Sequence, residues 1–171
     1  MKDKKMMISE LLNTQTVPLH LIVGFDGFID EIIHVVDKRI DNENFQRIKT
    51  ISDFAGRIAN AAGLSANIEL STVRQKLGGN GPIMAKSLLA QGYKVSYMGA
   101  LGCKEIHPVF RDFSVLCNKV ISLADPGHTD ALEFNDGKVM LGKLSDLRKV
   151  NWLNLLQTFG EENLVDLLKK T

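Results

Sequence analysis

The chain has 171 residues, 44% of them hydrophobic and 24% charged. That composition suits one soluble domain with a genuine core and is too apolar for disorder. Lys and Arg number 21 against 20 Asp and Glu, with no long basic run, so neither a nucleic acid nor a membrane surface is expected as a partner. Cys103 and Cys117 lack metal-ligand spacing and read as free thiols in a reducing compartment. The apolar residues after Lys2, Lys4 and Lys5 are interrupted by Ser9, Glu10 and Asn13 to Thr16, which leaves no signal-peptide core; a cytoplasmic protein is expected.

In chain order, Met6 to Leu12 suggests a short leading helix, and Leu19 to Val23 a buried strand that ends at Gly24. Asp26 and Asp30 follow just beyond the C-terminal end of that strand, where ligands of α/β folds bind. Either carboxylate is a candidate acceptor for substrate hydroxyls; the plainer reading is a turn former. The β-branched residues Ile32, Ile33, Val35 and Val36 predict a second strand, and Asp37 to Asn44 a loop. From Phe45 apolar residues recur at three and four positions, which predicts one long amphipathic helix to about Gly63. Ser65 to Leu77 reads as an extended segment.

The stretch Gly78-Gly79-Asn80-Gly81-Pro82 then opens onto a helix that stops at Gly92. Pro82 suits a first helical position, which makes Gly81 the expected N-cap. Free N–H groups at such a helix start favour oxygen-rich or anionic ligands. Neither standard glycine motif is present. Met84 stands where a dinucleotide fingerprint needs its third glycine, and Asn80 and Ala85 replace the two glycines of a P-loop. Beyond the helix, Val95 to Met98 predicts a strand, Pro108 to Leu116 a helix and Lys119 to Leu123 another strand. His128 to Leu141 predicts a hairpin that turns at Asn135-Asp136-Gly137, and two helices separated near Gly160 close the chain. The four histidines are scattered without the spacing of a metal pair, and no metal site is expected. His128, beside Thr129, is the one to watch.

This order of landmarks, from the strand leading to Asp30 through the Gly78-Gly79 turn and the Gly99-Ala100-Leu101-Gly102 strand end to the hairpin, resembles the N-terminal half of the ribokinase-like (PfkB) carbohydrate kinases. The resemblance implies a three-layer α/β/α fold with a mainly parallel sheet plus a small β lid. Residues 1–171 are then the N-terminal portion of a single sugar-kinase domain, truncated before its C-terminal half, with lid segments about 31–36, 65–77 and 128–141. By resemblance Asp30 holds sugar hydroxyls and Gly78 and Gly79 line the pocket; Asn80 and Asp26 are further candidates. The resemblance also implies ATP and Mg²⁺ in the full-length enzyme, with neither expected to bind tightly to this chain alone.

Three departures qualify the match. Ile83 stands where the family usually has asparagine, and Cys103-Lys104 precedes Glu105 where an acid usually follows the strand end directly. The Gly-Ala-Gly-Asp signature, which carries the family's catalytic base, does not occur, so no catalytic residue is expected in this chain and the chain alone is expected to be inactive. A homo-oligomer formed through the lid or an exposed sheet edge is expected. The alternative from another class is a non-catalytic sugar-binding or dimerisation module of the same fold; an unrelated nucleotide-binding domain is the third reading.

Overall fold

A computed structural model describes residues 19–171. The leading helix expected over Met6 to Leu12 lies outside the described residues. The chain runs through β1 (His20–Phe25), β2 (Phe28–Arg39), β3 (Phe45–Arg47), α1 (Ile51–Ala59), β4 (Leu70–Gly78), α2 (Asn80–Ala90) and β5 (Lys94–Gly99). A 3₁₀ turn at Pro108–Phe110 leads into α3 (Arg111–Leu116), followed by β6 (Lys119–Ser122), β7 (Gly127–Glu133), β8 (Lys138–Lys143), α4 (Trp152–Thr158) and α5 (Glu161–Leu168).

Strands β1, β5 and β6 form a parallel sheet in the order β1-β5-β6. Residues Val95 to Gly99 of β5 are all buried, as a central parallel strand covered on both faces requires. On one side Val95 and Tyr97 pack with Ala85 of α2 and Phe113 of α3, while on the other Met98 and Ile121 pack with Leu155 of α4 and Leu167 of α5. The chain is thus a three-layer α/β/α arrangement with a parallel sheet. A sheet edge is exposed along β6 and β1 among the described residues.

The second sheet is built around β2. Its inner part pairs antiparallel with β4 on one side and parallel with β7 on the other, its outer end pairs with β3, and β8 completes the hairpin with β7. All three segments expected to be extended, 31–36, 65–77 and 128–141, contribute here, although β4 begins only at Leu70. The long helix expected from Phe45 is the main local correction. Phe45–Arg47 is a strand paired with Val36 to Arg39, and helix α1 starts at Ile51 after Thr50, whose hydroxyl accepts from Asp53 N. The helical periodicity reads through Thr50, but the open edge of β2 captures the first three residues and the cap sets the boundary. The loop expected from Asp37 is shortened for the same reason, since β2 runs to Arg39.

Arg47 on β3 also reaches back to β2, with its guanidinium 3.0 Å from His34 Nε2, and on to the side-chain oxygen of Asn135. Partial burial, and then the Arg47 charge, push the His34 imidazole below its ordinary range. The fold therefore favours neutral His34, and the unfolded chain takes up a proton first as pH falls. Stability should decline as pH drops from about 7 to about 5, and His34→Gln should flatten that decline in urea-unfolding midpoints measured across the range.

Candidate functional site

Two aspartates four residues apart meet opposite fates at the junction of the sheets. Asp26 lies in the turn after β1, and its carboxylate accepts 2.8 Å hydrogen bonds from both Asn80 N and Gly81 N. Tyr97 Oη donates to the Asp26 carbonyl oxygen at 2.7 Å. Burial, followed by the neighbouring Asp26 charge, raises the Tyr97 pKa and keeps it a donor. The helix start inferred to be open to an anion is therefore filled by the chain's own carboxylate. Pro82 brings no N–H, and Ile83 N is bonded to Gly79 O at 3.2 Å. The helix also begins earlier than expected, with Gly79 as N-cap, and Pro82 at its third position instead of its first. Gly79 has φ of +96°, and a Cβ there would stand 3.0 Å from Asp26 Oδ2, so backbone angle and space both call for glycine.

Asp30 sits within β2, with its side chain 16% exposed and pointing over Gly78 of β4. A Cβ on Gly78 would fall 2.5 Å from the carboxylate, so that glycine makes room for Asp30. Its nearest ionic partner is Lys76 Nζ at 3.8 Å, too long for a hydrogen bond. Among the described residues no donor saturates Asp30 as the two amides saturate Asp26. Asn80 is exposed beside the turn. Asp30, Gly78, Gly79 and Asn80 thus share one corner, while the carboxylate of Asp26 is turned to the backbone.

The other face of the second sheet carries a cluster that no spacing pattern revealed. His128 Nε2 lies 3.6 Å from both Glu31 Oε1 and Asp130 Oδ1, because β7 pairs with β2 in parallel. Lys143 Nζ stands 2.8 Å from Asp130, and Gln75 donates to Glu31, so both carboxylates of the cluster have donors within the protein. His128 therefore points away from Thr129, its neighbour in sequence.

The remaining histidines are structural. His20 Nε2 is 2.8 Å from Ser96 Oγ and its Nδ1 is 3.2 Å from the Lys170 carbonyl, tying the last residues to the parallel sheet. His107 accepts from Val109 N at the start of the 3₁₀ turn. An acid does reach the strand end after Gly102, from a residue the sequence reading did not single out: Asp125 accepts from Cys103 N at 2.8 Å. That hydrogen bond holds Asp125 below the ordinary carboxylate range. Burial pushes the Cys117 thiol up to about 11, and both cysteines are free. No helix among the described residues is long and apolar enough to cross a membrane.

A parallel sheet between helical layers, with a second sheet rising from the strand ends around Asp30, defines a ribokinase-like carbohydrate kinase fold, of which this chain carries the N-terminal portion. The adenosine kinase of Trypanosoma brucei brucei is similar in fold, with a TM-score of 0.51 at 15% identity over 91% of this chain and 48% of that one. The nucleoside kinase of Methanocaldococcus jannaschii, an archaeal member of the ribokinase family, matches over 73% of this chain and 36% of its own, with a TM-score of 0.44 at 12% identity. Residues 4–171 match the family model described as prokaryotic ketohexokinase, and the chain belongs to that family. It is 27% identical over 150 residues to the ketohexokinase of Haloferax volcanii, covering 86% of this chain and 40% of that protein. The chain thus spans less than half the length of this curated relative.

The Asp26 contacts make a stability test. Hydrogen bonds to a charged group contribute about 1.5–3 kcal/mol each, and Asp26→Ala removes two of them at once. The variant should lose about 3 kcal/mol or more in urea unfolding; a loss below about 1 kcal/mol would show that the cap is dispensable.

Proposed function

We propose that this chain is the N-terminal, sugar-binding portion of an ATP-dependent carbohydrate kinase, acting on a ketohexose-like hydroxyl. The observation that carries the reading is the Asp30 carboxylate, mostly buried over Gly78 and without a saturating donor among the described residues. A sugar hydroxyl has the donor that such a carboxylate lacks. Membership of the prokaryotic ketohexokinase family supports the substrate class and the reaction of the whole protein.

In this reading Asp30 accepts from a sugar hydroxyl, Gly78 and Gly79 let the backbone approach the ring, and Asn80 offers an amide at the rim. Asp26 acts through the backbone, by fixing the start of α2 and with it the Gly78-Gly79 turn. The segments 31–36, 65–77 and 128–141 serve as the lid, which excludes water from the hydroxyl that reacts. The described residues do not fit a nucleotide phosphate, because the α2 amides are taken by Asp26. ATP, Mg²⁺ and the proton acceptor belong in this reading to the remainder of a sugar-kinase domain, and the chain alone is expected to be inactive. No step through them follows from the residues present.

Self-association is part of the proposal. Phe25, Trp152 and Leu153 are exposed at 56%, 58% and 70%, and beside them Phe25, Leu123, Val150, Trp152 and Leu155 line an apolar groove of about 210 Å³. Apolar surface next to an open sheet edge favours pairing with a second copy. Light scattering should give a mass that rises with concentration; a constant monomer mass would remove the oligomer from the reading.

The sugar-binding reading is tested by calorimetric titration of the 171-residue chain with D-fructose. Asp30→Asn keeps the shape but gives up the charge, and should weaken binding about tenfold or more, or about 1.4 kcal/mol. Unchanged affinity would remove Asp30 from the site, and no binding by the unaltered chain would overturn the sugar-binding role.

A further inference from the structure

Strand register places more at this site than the Asp30 carboxylate. Asp30 pairs with Lys76 on one neighbouring strand and with Thr129 on the other, and residues paired across a sheet point to the same face. The three side chains therefore form one row across β4, β2 and β7. Adjacent strands stand about 4.8 Å apart, so the three-strand row spans about 10 Å, and Lys76 Nζ reaches across it to within 3.8 Å of the Asp30 carboxylate. The chemistry alternates usefully along it: the ammonium of Lys76 only donates, the carboxylate of Asp30 only accepts, and the hydroxyl of Thr129 does both. The row inward is Gly78, Phe28 and Gly127: the Asp30 carboxylate lies over Gly78 and the Phe28 ring over Gly127, so a flat apolar surface flanks the polar line.

The opposite face has no such capacity. Glu31, His128, Asp130 and Lys143 are engaged with one another there. On the Asp30 face the Lys76 ammonium stays 3.8 Å from the carboxylate and is half exposed, a separation that leaves both groups free to reach a third, while Thr129 is 7% exposed at the base.

We propose that Lys76 and Thr129 are sugar-binding residues that flank Asp30, and that the three together read neighbouring hydroxyl groups of one polyhydroxylated ligand. Lys76 donates to the oxygen of a hydroxyl that in turn donates its own hydrogen bond to Asp30, and Thr129 engages the next hydroxyl along the ring. This inference rests on the sugar-binding reading of Asp30 and adds two residues to it, on different strands, neither of which sequence motifs single out.

The test is an amide chemical-shift titration of the isotope-labelled 171-residue chain with D-fructose, repeated for Lys76→Met, Thr129→Val and Thr129→Ser. Lys76 is exposed and valine matches threonine in shape, so the spectra themselves report whether each variant stays folded. Fructose should shift the amides of Lys76 and Thr129 together with those of Asp30 and Gly78. Lys76→Met and Thr129→Val should each weaken binding about tenfold, and Thr129→Ser, which keeps the hydroxyl, should restore most of it. Binding that shifts Asp30 and Gly78 while both variants titrate like the unaltered chain overturns the added roles and leaves the sugar-binding reading standing. Failure of Thr129→Ser to outperform Thr129→Val overturns the hydroxyl contact. No shift at any of these positions in the unaltered chain overturns both readings.

Discussion

Everything at the junction of the two sheets depends on the carboxylate of Asp26 meeting the first two amides of α2. The contact joins the end of β1 to the Gly78-Gly79 turn, more than fifty residues later in the chain, and neutralises the positive end of the helix from inside the protein. Tyr97 of β5 closes the arrangement by donating to the Asp26 carbonyl oxygen. Three elements are thereby held at one point, and the strand that follows, β2, leaves that point with Asp30 on a fixed side.

Given that anchor, the second sheet sorts its polar residues by face. Alternation along β2 and β7 puts Asp30 with Thr129 on one side and Glu31 with His128 and Asp130 on the other. One face is self-satisfied, with Lys143 and Gln75 completing its contacts. The other keeps an acceptor in reserve above a glycine. A shift of pairing by a single residue would exchange the two faces. The hydrophobic residues prevent it: Ile29 belongs to the core formed with Tyr97 and Phe113, and Ile33 to the one formed with Leu132 and Phe134, so the apolar pattern of β2 locks the register that sets Asp30 over Gly78.

Much of this was legible beforehand. The buried run at β5, the Asn135-Asp136-Gly137 hairpin, the paired helices around Gly160 and the double glycine before α2 all follow from local chemistry, because apolar periodicity and turn residues act within a few positions. The long helix expected from Phe45 went astray where a distant partner decided the matter, namely the open edge of β2 that takes up Phe45–Arg47. Asp125 escaped notice because its role, receiving Cys103 N, joins segments that nothing in the sequence connects. His128 was singled out, but not its partners, because its neighbour in sequence lies on the opposite face while Glu31 reaches it from another strand.

The amino-acid sequence alone determined most of the local elements and set two aspartates just beyond a strand and a glycine pair before a helix, while the layers and the parallel sheet were implied by the family resemblance. Residue chemistry by itself could not say which aspartate stays available, although the family resemblance favoured Asp30. Asp26 and Asp30 have the same side chain four residues apart, and both suit a turn or a ligand. Only the tertiary structure separated them, by setting Asp26 within 2.8 Å of two amides and Asp30 over a glycine without an equivalent partner. The physical reason is that a carboxylate's chemistry is fixed by the donors around it, and those donors come from parts of the chain that folding alone brings within reach.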